Sequence, residues 1–356
     1  MRSSISARLL LTTAATLLAV GAPAVSSLAR ARHPAVEVIA PPNVPPPPPE
    51  PVGMPDQMID DAAAYEGLMQ RVAATSPGFS SAQTVATALR DGAAYEPKTF
   101  LRGAIAYAAV AALKDQSFVA ALRDAGNTPD HRADMVRDIE LNPAYLYQFK
   151  GSDAAAGYAR AALGSAALNL YATGRLIHQA AYDVQHQPWS SETIVDRPGR
   201  LAAVKAASAN GIAPAPDEMT VVERASRGAQ PLSITAPPIA PPYTPMIDRA
   251  LQVAAIAALG EATNTSYLNL ASLTEEGVTE ECLERAKRDL FQCLAVAKPN
   301  YEDVFCMGQH EMVDPGACLA KSVSVDIPAE PAPPPPPAPV QAAAKRLAKA
   351  KVKHHA

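Results

Sequence analysis

The chain has 356 residues, of which 19% are charged and only 5% aromatic, with 35 prolines, four cysteines and a net charge of −4. Without the leader and tails described below, roughly 270 residues remain, enough for one large or two small domains. They contain no nucleotide-binding glycine loop, no serine-hydrolase elbow and no H-E-x-x-H pair, and so few aromatics leave a core of alanine, leucine and valine.

Residues 1–31 read as a secretory signal, since Arg2 and Arg8 supply the positive start and Leu9 to Val20 is an unbroken run of apolar and small residues. Cleavage fits Ala22-Pro23-Ala24 and Ala29-Arg30-Ala31 equally. The run is shorter than the 18 or so residues of a spanning helix, and no cysteine follows it to carry a lipid. Residues 32–55 form a proline-rich linker and residues 326–340 a second one. Proline fixes φ and lacks a donor, so both are expected to be extended, disordered spacers.

The body between them is expected to be all-α, an irregular helical bundle, because alanine, leucine, arginine and glutamate dominate and β-branched runs are rare. In an N-terminal helical part, 56–210, start signals stand at Ser80-x-x-Gln83, Thr128-Pro129 and Asn142-Pro143, and Asp153 opens a long alanine-rich run. Phe100, Ile105, Ala108 and Ala112, then Tyr158, Ala161, Leu168, Leu170 and Ile177, suit helices packed on helices. Val85–Gly92 echoes Val119–Gly126 at an interval near that of tetratricopeptide repeats, but the repeat landmarks are missing, and a shared helix-ending signal explains the echo. Residues 211–245, rich in proline, read as a surface excursion or hinge leading to a C-terminal helical part, 246–325.

On the helix before Pro188, Tyr171, Arg175, His178, Tyr182 and His186 recur at steps of four, three, four and four. One face thus carries rings, two imidazoles and a guanidinium, with Asp183 beside it and Trp189 at the rim. It is either a binding surface for a glycan, an anion or a metal, or a polar face packed under the next loop. His178 and His186 are two turns apart, about 12 Å, too far to share an ion. Glu261, at the end of the apolar run Leu251–Gly260 and before Asn264, Thr265 and Ser266, is similar in setting to the general acid of lysozyme-like peptidoglycan enzymes. No further motif of that family follows, and the alternative is an ordinary helix-end carboxylate.

The cysteines are even in number, confined to one segment of a chain with an export signal, and free of C-x-x-C pairs, which points to disulfides. Thr279 reads as a helix cap, with Glu280, Glu281 and Glu284 in the first turns and Lys287, Arg288 and Lys298 toward the end. Pro299 stops this helix and Asn300 caps the next. Cys282 and Cys293 lie on one face but roughly 16 Å apart along the axis, beyond disulfide reach. Cys293 stands six residues before Pro299 and Cys306 seven after it, so an antiparallel hairpin pairs Cys293 with Cys306 and Cys282 with Cys318. Asp314-Pro315-Gly316 is expected to end the second helix early, which leaves the outer bond the weaker expectation. The layout is similar to the twin-cysteine helical hairpins of small oxidised proteins, although its spacings are longer. Cys306-x-x-x-His310 has ligand spacing, but a bonded sulfur is no ligand, so no metal site is expected, and no cofactor.

Residues 341–356 hold Lys345, Arg346, Lys349, Lys351 and Lys353 and no acidic residue, which leaves −9 on the rest of the chain. Such a segment forms a basic helix on an anionic surface, here lipid headgroups, lipopolysaccharide or wall polymers, or else it is a solvated tail. Export removes nucleic acid from consideration. The sequence therefore reads as a periplasmic or secreted, non-enzymatic envelope protein, structural or scaffolding, of a Gram-negative bacterium. The rival is a peptidoglycan- or glycan-active enzyme centred on Glu261 or on the Tyr171, Arg175 and His178 face.

Overall fold

The computed structural model describes residues 52–211 and 213–329, so the expected signal, most of both proline-rich segments and the basic residues 341–356 lie outside the described residues. Those described hold fourteen α-helices, one 3-10 turn, one π-helix and no strand beyond an isolated bridge of Thr193 with Pro299. In chain order they are α1 (Asp56–Ala73), α2 (Ala82–Gly92), α3 (Pro97–Ala112), α4 (Gln116–Ala125), α5 (Pro129–Leu141), the 3-10 turn Pro143–Gln148, α6 (Ser152–Val184), α7 (Pro188–Ser191) and α8 (Arg197–Asn210). Then come α9 (Pro216–Ser226), α10 (Pro245–Ala258), α11 (Tyr267–Leu273), α12 (Gly277–Val296), α13 (Asn300–Cys306), the π-helix Met307–Val313 and α14 (Asp314–Ser322).

Local chemistry sets the helix starts, sometimes displaced from where the sequence signals stood. Thr128 caps α5 and Asn142 caps the 3-10 turn through the amides of His131 and Ala144, as expected. The cap of α2 is Ser81, one residue beyond Ser80, accepting from the Thr84 amide. The cap of α12 is Glu276, not Thr279: its carboxylate accepts from the amides of Val278 and Thr279, leaving Thr279 buried inside the first turn. α6 opens at Ser152, after Gly151 at φ 84°, where a Cβ would press on Asp115, Ser117 and the Phe118 amide.

Packing follows from small side chains. Twelve of the sixteen residues of α3 and eleven of the fourteen of α10 are buried, so both helices are apolar all round and sit at the centre of a single core. No single described helix is long and apolar enough to cross a membrane; α3 and α4 pass that test only as a pair bent by 89°, and α3 is a core helix. α6, about 50 Å long, lies against α1, α3 and α10 and carries α13, the π-helix and α14 along its length. The two helical parts on either side of residues 211–245 thus share one core.

That intervening segment contains a helix, α9, which packs on α1 and α3 and ties Glu218 to Arg71. The remainder is strapped to the body: Lys114 Nζ donates to the Ile234 carbonyl, the Ile239 amide donates to the Asp153 carbonyl at 3.0 Å, and the Pro237 carbonyl lies against Gly157. Two ion pairs tie further elements. Asp61 on α1 receives Nε and Nη2 of Arg102 on α3, and the nearly fully buried Arg200 and Asp303 join α8 to α13. The body starts at Met54, already buried, and closes with Arg160 donating to the carbonyls of Val323 and Ser324 while Val325 covers Gly164.

Candidate functional site

The C-terminal module is where the chemistry gathers. Cys282 bonds Cys318 and Cys293 bonds Cys306, with Cα separations of 5.8 and 5.7 Å, which is the nested pairing expected from the spacing, the more weakly expected outer bond included. Disulfides of this kind are compatible with an oxidising, extracytoplasmic location. The second arm of the hairpin does not end at Asp314-Pro315-Gly316. It runs on without a break from α13 through the π-helix into α14, so the outer bond has a helical anchor at both ends. The wider π turn just before Pro315 accommodates a ring that would clash with the carbonyl one turn back in a regular α-helix. Nor does Asn300 cap α13; its side chain is buried and donates to the carbonyls of Trp189 and Glu192. Arg197 seals the same corner by donating to Ala297 and Ala295.

The π-helix lies flat on α6 because three glycines permit it. A Cβ on Gly308 would stand 2.4 Å from the His178 amide nitrogen, one on Gly174 2.7 Å from the Val313 nitrogen, and one on Gly316 2.8 Å from the Tyr171 nitrogen. Such backbone-on-backbone approach fixes which side of the π-helix faces the core.

That side carries Glu311. Its carboxyl is buried, has no hydrogen-bond partner and sits over Gly92 of α2. Lys287 of α12, read from the sequence as one of the basic residues toward the helix end, is also buried: its ammonium donates to the Ala93 carbonyl at 3.0 Å and lies 3.3 Å from the centre of the Tyr95 ring. Burial pushes Lys287 down to about 7 and Glu311 well above the usual carboxylate range, each toward its neutral form. Burial likewise pushes the Tyr95 phenol up, and its oxygen too lacks a partner.

A partly exposed edge of the hairpin brings together Asp289 of α12, His310 of the π-helix and Asp314 of α14. His310 Nδ1 is 2.8 Å from Asp314 Oδ2, and Gln309 Nε2 donates to Asp314 Oδ1 at 2.8 Å. The sequence reading looked at His310 only with Cys306, whose sulfur is bonded to Cys293. Its missed signal was the four-residue step from His310 to Asp314 combined with the position of Asp289 between two cysteines.

The face drawn on α6 divides into two. Tyr171 is buried under Gly316, and His178 packs its ring on Phe305 at 4.5 Å and on Tyr182 at 5.7 Å, so this half is the seam with the C-terminal module. Arg175 is half-buried, whereas Tyr182 and His186 are exposed; Trp189 packs partly into the core. Glu261 receives Nε of Arg132 at 3.0 Å, a guanidinium pairing instead of the apolar pocket that a general acid would need. Cavities of about 440 Å³ between α2, α8 and α13, and about 370 Å³ beside Cys282 and Cys318, are lined by other residues.

Fold and site together define a disulfide-stapled, all-α protein with one alanine-rich core. No protein-family model, curated protein or solved structure matches the chain.

Proposed function

We propose that the protein is an exported, non-enzymatic envelope protein of the periplasm or cell exterior, whose rigid helical body binds a partner or polymer and whose basic tail attaches it to an anionic surface. The observation that carries this reading is the pair of nested disulfides, which suit an oxidising compartment and hold the C-terminal module against α6. Structural employment of the groups that suggested catalysis adds support: Glu261 is tied to Arg132, and Tyr171 and His178 are packed into a helix seam. The leader and the five basic residues of 341–356 supply the address and the attachment. Each basic residue near an anionic leaflet contributes about 1 kcal/mol at physiological salt, and five of them suffice for reversible, salt-sensitive adhesion.

Sedimentation with isolated envelopes at increasing salt tests the attachment. The full chain is expected to sediment at low salt and to be released as salt rises; a variant lacking Gln341–Ala356 should stay in solution throughout. Identical sedimentation of the two would overturn the attachment. Turnover of purified wall material that Glu261→Gln abolishes would replace the reading with a glycan-active enzyme.

A further inference from the structure

We propose that Asp289, His310 and Asp314 bind one divalent first-row transition ion, with Zn2+ as the type, on a partly exposed edge of the stapled hairpin. Each residue offers one ligand atom, and these atoms lie within 4.8 Å of one another. Two carboxylates and an imidazole form a mixed oxygen and nitrogen set, which suits Zn2+, Co2+, Mn2+ or Fe2+ better than the all-oxygen preference of Ca2+ and Mg2+.

The position of the three residues follows from the staples. Asp289 is four residues before Cys293, His310 four after Cys306 and Asp314 four before Cys318. On helices that step keeps a residue on the same face, so the ligands line the seam that the sulfurs already close. Asp289 stands level with His310 across the hairpin, between a bond on one side and a bond on the other. Both arms are therefore held in register without an ion, and binding need not order them. Gln309, donating to Asp314 Oδ1, is placed as the outer partner that aims a ligating carboxylate. His310 and Asp314 have side-chain exposures of 22% and 30%, open enough for an ion to enter and for water to complete its coordination. The site is independent of the tail and of the attachment proposed above.

The test is a Co2+ titration of the full-length, oxidised protein carrying His354→Ala and His355→Ala, because the adjacent tail imidazoles are themselves metal ligands. Expected is one equivalent of Co2+ with visible ligand-field absorption, displaced by Zn2+ and not by Mg2+ or Ca2+. Asp289→Asn should weaken binding by at least about 10-fold, the least that losing even an outer partner of a ligand costs, and His310→Ala should abolish it. Asp289→Asn is nearly isosteric at a partly buried position, so its melting temperature without metal should match the parent and separate lost binding from lost folding. No uptake by the parent, or uptake unchanged in both variants, would overturn the proposal, as would displacement of Co2+ by Mg2+ or Ca2+.

Discussion

Replacing Gly308 by alanine sets local preference against packing. In a helix interior alanine is favoured over glycine by about 0.5–1 kcal/mol, so propensity alone predicts a gain in stability. The structure predicts a loss. The new methyl would stand 2.4 Å from the His178 nitrogen and 2.7 Å from its Cα, about 1 Å inside ordinary contact, and both obstacles are backbone of α6. α6 cannot withdraw locally, because Gly174 and Gly316 sit in the same seam, where an added Cβ would likewise meet backbone at 2.7–2.8 Å, and the two disulfides fix the far side of the module. Overpacking of this kind costs typically about 1–3 kcal/mol, and a rigid backbone obstacle belongs at the upper end. A net loss of about 2 kcal/mol corresponds to a fall of about 3–4 °C in melting temperature for a body of this size. Thermal and guanidinium unfolding followed by circular dichroism reads it directly. Gly277→Ala is the control: nothing lies within 4 Å of that Cβ, and stability should hold or rise by a few tenths of a kcal/mol. A Gly308→Ala protein as stable as its parent would refute the close-packed seam.

Glu311→Met should be neutral or stabilising by about 1 kcal/mol in denaturant unfolding, since an apolar side chain of similar volume replaces a buried carboxyl that has no hydrogen-bond partner. A loss above about 2 kcal/mol would show instead that Glu311 is held by an attractive partner. Removing the inner pair with Cys293→Ala and Cys306→Ala should cost about 3 kcal/mol, and removing the outer pair about 4, because its loop spans 36 residues against 13; equal or reversed losses would count against the loop-closure origin. Glu96 supplies an acid dependence. Partial burial pushes its carboxyl up, but hydrogen bonds from the amides of Lys98 and Thr99 and from the Thr99 hydroxyl, with Arg102 nearby, outweigh this and hold it below the usual carboxylate range. Its stabilisation is therefore full above the ordinary carboxylate value and is lost as pH falls through the depressed one. Glu96→Gln should remove about 1 kcal/mol of stability near neutral pH and flatten the decline below about pH 5; parallel curves for the two proteins would refute the charged cap.

The disulfide pairing was legible because it needs only two facts: the helix period, and a proline that breaks the chain between Cys293 and Cys306. The course of the second arm was not, since Pro315 is a stop signal locally and only the π turn, pressed onto α6 by Gly308 and Gly174, lets the helix pass it. Lys287 and Glu311 look like surface charges on amphipathic helices, and nothing short of the tertiary fold brings Tyr95 and Ala93 over the one and Gly92 over the other. Caps moved by one to three residues at Ser81 and Glu276 because several neighbouring side chains were competent acceptors. The α6 periodicity was read as a face, whereas half of it is the seam for a module more than a hundred residues later. Asp289 went unnoticed because its partners lie on the other arm of the hairpin.

The stapled module supports both the exported reading and the proposed ion site, so the decisive measurement is peptide mapping of the protein taken from its native cells under alkylation, without reduction. Two cross-linked peptides, Cys282 with Cys318 and Cys293 with Cys306, and no alkylated cysteine are expected. Free thiols at any of the four positions, or a different pairing, would contradict the oxidised hairpin and remove the structural support for the proposal that this protein works outside the cytoplasm.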